Sequence, residues 1–277
     1  MLVRITEADD PRIAPYRSIR EPELVRRDGG FVVEGEVVLR TAVREGRHPL
    51  QSVLLAQSRV EKLADTLALL PEQVPVYVAP QAVLDAIAGF PIHRGILALG
   101  RRASEPDPDA LLAHLGPRAV VVGLIGVGNH DNMGGVFRNA AAFGAGAVLL
   151  DEGCCDPLYR KAIRTSVGAA LTVPFASLPN AEAMLALLER HGFAALALSP
   201  SGGERLIDVV PPARSAVVLG AEGPGLPEAV MARTRTVRIP MAGAFDSLNV
   251  ATTAGIVLHH LVFRPGAGPS EAPDQQP

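Results

Sequence analysis

Lysine is nearly missing from this chain: Lys62 and Lys161 are the only two, so almost all positive charge is carried by arginine. Nor is there a basic surplus. The formal net charge is −3, with 14 Lys+Arg against 13 Asp+Glu in residues 1–103 and 12 against 16 in the remainder. A polyanion would therefore have to be held by a local arginine patch, not by a global field. Arginine suits that task, because its planar fork meets phosphate oxygens two at a time. Cysteine is confined to the adjacent pair Cys154 and Cys155, which excludes a disulfide framework and leaves no second pair for zinc. Long apolar runs are absent too. The stretch Val120 to Gly126 is the most apolar in the middle of the chain, far short of the roughly 20 residues of a membrane helix. Met1-Leu-Val-Arg-Ile-Thr-Glu has neither the basic region nor the apolar stretch of a secretory signal, so a cytoplasmic protein is expected. Phosphate-loop glycine signatures fail as well. Gly126-Val-Gly128 follows an apolar run, but Asp131 stands where a third glycine belongs, and no Gly-Lys-Ser/Thr occurs.

What is present is enough apolar content, 48%, for a substantial core in one or two domains. Residues 1–30 are polar, with Arg12, Arg17, Arg20, Arg26 and Arg27. They read either as an arginine-lined phosphate contact or as a solvated lead-in balanced by Glu21, Glu23 and Asp28. Residues 31–102 alternate strand and helix patterns: strands near 31–35, 51–56, 74–78 and 95–99, helices near 37–43, 59–70 and 81–88. Residues 103–117, starting Ala-Ser-Glu-Pro-Asp-Pro-Asp, form a linker with a short helix near 110–115. From 118 to 264 strands and helices alternate again. Strands fall at 119–125, 147–150, 194–198, 216–219 and 237–239, and helices at 135–143, 159–165, 181–191 and 247–263. That pattern predicts an α/β domain with a mainly parallel sheet and helices on both faces. The Gly-, Pro- and Gln-rich residues 265–277 read as a disordered tail.

Three stretches of the second domain stand out. The first, Asn129-His-Asp-Asn-Met-Gly-Gly-Val-Phe-Arg-Asn-Ala-Ala-Ala-Phe-Gly144, is a polar turn followed by a helix whose one interior cation is Arg138. In the second, Gly220-Ala-Glu-Gly-Pro-Gly-Leu226, a single carboxylate, Glu222, sits among glycines after an apolar strand. The third runs from Ile239-Pro-Met to Asp246-Ser-Leu-Asn-Val-Ala251. Pro240 stops a strand there, and Asp246 or Ser247 is placed to cap an apolar helix. Ligands of open parallel sheets sit at the carboxyl ends of the strands. The loops 199–203, 220–225 and 239–248 all lie at such ends.

In this order the three stretches resemble the signature motifs of the SpoU/TrmH family of RNA ribose methyltransferases, within the SPOUT class. The matching positions are Asn132, Gly134, Arg138, Ala140, Phe143 and Gly144, then Gly220–Leu226, then Ile239–Ala251. The resemblance implies a deep C-terminal trefoil knot, which threading rules alone would not suggest. It implies S-adenosylmethionine as cofactor, bound by Gly220, Ile239, Leu248, Met241 and Ser199, with no metal. Arg138, Glu222, Ser247, Asn249 and Asn132 are the catalytic set it implies. A guanidinium stays protonated below a pH of about 12, so Arg138 either clamps a phosphate beside the target ribose or acts as a phosphate-assisted base. Glu222, Ser247 and Asn249 would orient Arg138, the hydroxyl or the backbone, and Asn132 would hold its own loop; an Arg138–Glu222 ion pair is the purely structural alternative. The family further implies structured RNA, ribosomal or transfer, as partner, and a homodimer. Residues 31–102, with Val33-Glu-Gly35 and His93-Arg-Gly95, resemble the ribosomal-protein-like RNA-binding domain that precedes many of these enzymes. The chain departs from the family at Glu36, where histidine is usual, at Arg94, often glutamine, and at Asn129-His130, often Asp-Pro. His130 titrates near neutrality in general, which gives it a possible base role beside a plain surface one. The competing expectations are a non-catalytic RNA-binding or ribosome-assembly factor that kept the fold, and a doubly wound enzyme for a small molecule.

Overall fold

The computed structural model describes residues 2–18, 29–88, 95–242 and 247–264. The chain divides into two compact units, Met1–Ser104 with Asp156–Thr172, and Glu105–Cys155 with Val173–Pro277. Residues 156–172, which the sequence pattern assigned to the second domain, thus pack in the first unit.

In the first unit five strands, β1 (Leu2–Arg4), β2 (Gly30–Glu34), β3 (Leu50–Ala56), β4 (Val76–Ala79) and β5 (Ile96–Arg101), lie in the order β1-β4-β3-β5-β2. β5 is antiparallel to both neighbours, and the other pairs are parallel. The helices are α1 (Glu36–Glu45), α2 (Ala64–Leu67), α3 (Gln81–Ala88) and, from later in the chain, α6 (Arg160–Thr165). Two expectations need correction. Residues 2–18 are not a solvated lead-in. β1 pairs with β4, and Ile5, Ile13 and Tyr16 are fully buried, the Tyr16 hydroxyl lying 2.7 Å from that of Ser52. Arg12 is held by the Asp10 carboxylate and Arg17 by the Ala8 carbonyl, while Arg20, Arg26 and Arg27 lie outside the described residues, as do His93 and Arg94. The helix expected over 59–70 is broken into 3-10 turns and the short α2. Arg40 is the physical reason: its guanidinium takes the Lys62 carbonyl, an acceptor a continuous helix would use, and the Asp65 and Thr66 side chains.

The second unit is built on seven strands, all parallel: β6 (Ala119–Ile125), β7 (Ala147–Asp151), β8 (Phe175–Leu178), β9 (Ala194–Leu198), β10 (Glu204–Arg205), β11 (Arg214–Gly220) and β12 (Arg235–Arg238), in the order β10-β12-β9-β11-β6-β7-β8. β8 and β10 escaped the sequence pattern because four and two residues are too few for a visible period. On one face Val121, Leu149, Ala216 and Val218 pack under Leu112 of α4 (Pro108–Ala113), Met184 and Leu188 of α7 (Ala181–Arg190) and Val230 of α8 (Glu228–Met231). On the other, α5 (His130–Ala142) and α9 (Val250–Phe263) pack on each other, and α9 lies against β6 and β11. No helix among the described residues is long and apolar enough to cross a membrane.

Two helix starts also differ from expectation. α5 begins five residues earlier than predicted, because Asn129 accepts the Asp131 and Asn132 amides and so caps it. Gly134, which read as part of the polar turn, is inside it. α9 begins at Val250 with Asn249 as its cap, not Asp246 or Ser247; Asp246 lies outside the described residues.

Candidate active site

β9, β11 and β12 release the chain at the same end of the sheet, and the first turn of α9 stands beside them. The space between is a cavity of about 580 Å³, lined among others by Leu198, Leu219, Val237, Ile239, Leu248 and Thr253. Gly220 shapes its rim. A Cβ placed there would lie 2.4 Å from the Gly225 carbonyl carbon and 2.6 Å from the Leu226 nitrogen, so the 221–226 loop folds directly onto the end of β11. The loop is closed by the Gly225 amide on the Ala221 carbonyl at 3.0 Å and anchored by Leu226 in the core.

The three motif stretches meet in one hydrogen-bond chain. Glu222 accepts from Asn132 Nδ2 at 2.5 Å, Asn132 Oδ1 accepts from Asn249 Nδ2 at 2.8 Å, and Asn249 Oδ1 accepts from the Ala251 and Thr252 amides at 2.9 and 3.2 Å. Each orientation forces the next. A carboxylate only accepts, so Asn132 must present its amino group to Glu222 and its oxygen to Asn249. Asn249 must then donate, which leaves its oxygen to cap α9. Asn132 is 5% exposed, and a buried amide with both ends satisfied is a rigid link.

Every residue expected to hold the cofactor, Gly220, Ile239, Leu248, Met241 and Ser199, lines the cavity. Of the expected catalytic set, Glu222, Ser247 and Asn249 line it, and Asn132 stands one hydrogen bond behind. Arg138 does not line it. It is exposed on α5 and makes no hydrogen bond or ion pair among the described residues. Six residues separate it from Asn132, which at about 100° per residue puts the two on different sides of the helix. Two expectations are corrected here. Glu222 is bound to Asn132 and does not orient Arg138, and Asn132 reaches across to the other motifs while Asn129 holds its loop. His130 opens α5 and does not line the cavity. Thr253, Asn129 and Asn139 were not singled out as site residues. Thr253 could have been found from its i+4 spacing to Asn249 on a helix. Burial pushes the Cys154 thiol up to about 12, with its sulfur 3.3 Å from the Leu124 carbonyl, so it carries no nucleophile at neutral pH. Among the described residues no group of His, Cys, Asp and Glu is placed to hold a metal ion.

The SpoU rRNA Methylase family matches residues 119–259. An uncharacterized tRNA/rRNA methyltransferase of Mycobacterium bovis is 38% identical over 264 residues, 92% of this chain and 90% of that protein. Among solved structures, one of an RNA 2′-O ribose methyltransferase superposes with a TM-score of 0.77 at 25% identity, covering 94% of this chain and 98% of that one. The fold is also that of an AdoMet-bound rRNA methyltransferase from Sinorhizobium meliloti, with a TM-score of 0.79 over 94% of this chain and 97% of that one at 22% identity. The family match and the relatives place this sheet, its glycine-rimmed cavity and the three joined motifs among the RNA methyltransferases. The chain belongs to the SpoU family.

Proposed function

We propose that this protein transfers a methyl group from S-adenosylmethionine to a ribose 2′-hydroxyl of structured RNA, ribosomal or transfer. The Glu222–Asn132–Asn249 chain carries the reading, since it ties all three motifs to the wall of one cavity. The relative named a tRNA/rRNA methyltransferase and the neighbour named a 2′-O ribose methyltransferase support the same substrate class.

The cavity fits the cofactor. Its volume falls within the range of about 300–1,000 Å³ usual for such ligands. Its walls offer apolar Leu198, Ile239 and Leu248 for a flat ring, and Gly220 lets the 221–226 loop fold onto the strand end at the cavity rim. S-adenosylmethionine would supply an activated methyl on a sulfonium. The chain's own residues then have to hold the acceptor and guide its proton. Ser247, Asn249 and Glu222, on the cavity wall, are the groups to orient the ribose. Arg138, exposed and without a partner among the described residues, is free to grip the phosphate beside it and lower the barrier electrostatically.

By the same family reading, the motif loops form a trefoil knot, and residues 31–102 are an RNA-binding domain. A second copy would cover the outer side of α9. There Ile256 and Phe263, 40% and 59% exposed, line a groove with Ile207, an apolar surface unusual to leave in water.

Two measurements test the proposal. In the Arg138→Ala protein we expect S-adenosylmethionine binding by calorimetry to be kept and methyl transfer to fall by about 10²-fold or more; undiminished transfer removes the role given to Arg138. Mapping ribose methylation in RNA from cells lacking this protein should show a missing mark. A protein that binds RNA but not S-adenosylmethionine would instead be an assembly factor.

A further inference from the structure

We infer that Asn139 is a positioning residue for methyl transfer: its carboxamide fixes α5 in register on α9 and so holds the Glu222–Asn132–Asn249 chain in its working geometry. This rests on the reading of the cavity as the methylation site. Asn139 Nδ2 donates to the Ala251 carbonyl at 2.6 Å. The amide of that same Ala251 is taken by Asn249 Oδ1 at 2.9 Å. One residue in the first turn of α9 is therefore gripped at both ends, by the cap that belongs to the chain and by a side chain from the neighbouring helix.

The packing around this contact allows one register. Asn132, Gly135 and Asn139 follow the i, i+3, i+7 spacing of a single helical face. Ala251 and Gly255, four apart, oppose them. A Cβ on Gly135 would lie 2.6 Å from the Cβ of Ala251, and one on Gly255 would lie 3.3 Å from the Asn139 carboxamide. Each helix thus has a glycine where the other puts a side chain, and the two backbones approach closely. Such a crossing could slide if it were made of small apolar groups alone. An amide between packed helices costs free energy unless it is paired, and only one alignment pairs Asn139 with Ala251. A slip of about 1 Å along their bond would carry Asn249 out of hydrogen-bond reach of Asn132, since the 2.8 Å contact would lengthen beyond about 3.5 Å.

Asn139→Asp tests this directly. It keeps the shape and sets a carboxylate oxygen against the Ala251 carbonyl. S-adenosylmethionine affinity and KM for RNA should stay within about twofold of wild type, while kcat falls by about 10²-fold, the scale of a 1 Å misplacement. All assays are run well below the melting temperature of the variant, where a residue with only a structural role would leave kcat unchanged. If Asn139→Asp does not fold, Asn139→Ala removes the donor without adding repulsion, and a drop in kcat of about tenfold with KM unchanged is expected. Wild-type kcat in a folded variant, beside an active wild-type enzyme, overturns the inference about Asn139. A wild-type protein that neither binds S-adenosylmethionine nor methylates RNA overturns the underlying reading instead.

Discussion

Adding one methyl group at Gly220 should cost this protein its cofactor. In Gly220→Ala the new Cβ would sit 2.4 Å from the Gly225 carbonyl carbon, 2.5 Å from its oxygen and 2.6 Å from the Leu226 nitrogen, where 3.4 Å or more is ordinary contact. All three atoms are backbone, so no side chain can rotate away, and the loop must retreat by about 1 Å. Leu226 cannot follow freely because it is anchored in the core, 7% exposed. Overpacking of this kind costs about 1–3 kcal/mol. Moving Glu222 off Asn132 leaves a buried amide unsatisfied, for about 1–3 kcal/mol more. The whole loss is about 2–6 kcal/mol, shared between stability and affinity. Any 1.4 kcal/mol of it that falls on binding weakens S-adenosylmethionine tenfold. At about 2–4 °C per kcal/mol, the part that falls on folding lowers the melting midpoint by several degrees. Calorimetric titration and scanning fluorimetry read the two shares. Gly116→Ala is the control, since its Cβ would find nothing nearer than 3.9 Å and both readouts should stay at wild type. Wild-type affinity together with a wild-type midpoint in Gly220→Ala would refute the account of the loop as a cradle resting on the strand end.

Arg214 donates to the carbonyls of Leu112, Leu115 and Gly116 at the end of α4 and lies 4.3 Å over the Phe193 ring. Arg214→Met should lower stability by about 2–4 kcal/mol in a denaturant titration while S-adenosylmethionine affinity is retained, and an unshifted midpoint would disprove the capping role. His48 is buried, accepts the Ala103 amide on Nδ1 and meets Phe31 edge-on. Burial first, then Arg47 and Arg102, pull it down from 6.5 to about 4. The unfolded chain then takes the proton first, so stability should be level above about pH 6.5 and fall as pH drops towards about 4. Denaturant midpoints at pH 7 and 5 should differ less in His48→Asn than in wild type; equal differences would show that His48 does not titrate this way.

Much of the second unit was legible because parallel strands buried on both faces are written as unbroken apolar runs. Ala119–Ile125 and Ala194–Leu198 fall where the pattern put them. The cavity-lining residues were legible from motifs, since Gly220, Ile239 and Leu248 sit in short stretches with few other readings. The linkage between motifs was not. Nothing in the order of residues says that Asn132 will reach Glu222 90 positions on and Asn249 117 positions on. Arg138 and Asn132 look equivalent along the chain, yet helical geometry turns them apart. The first eighteen residues were misread because their polar majority hides Ile5, Ile13 and Tyr16, three residues too widely spaced to form a pattern.

The middle of the seven-stranded sheet is a late arrival. β11 lies between β6 and β9, both of which leave the ribosome earlier, and it pairs Arg214 with Ala119 and Ser215 with Ala194. Until residue 220 has been made, the two earlier strands have no neighbour on the sides that β11 will fill. Their apolar edges stay open through the synthesis of everything between. Such long-range parallel pairing is slow and exposes edges prone to aggregation. Nascent chains of this protein therefore have reason to lean on chaperones until the central strand slots home.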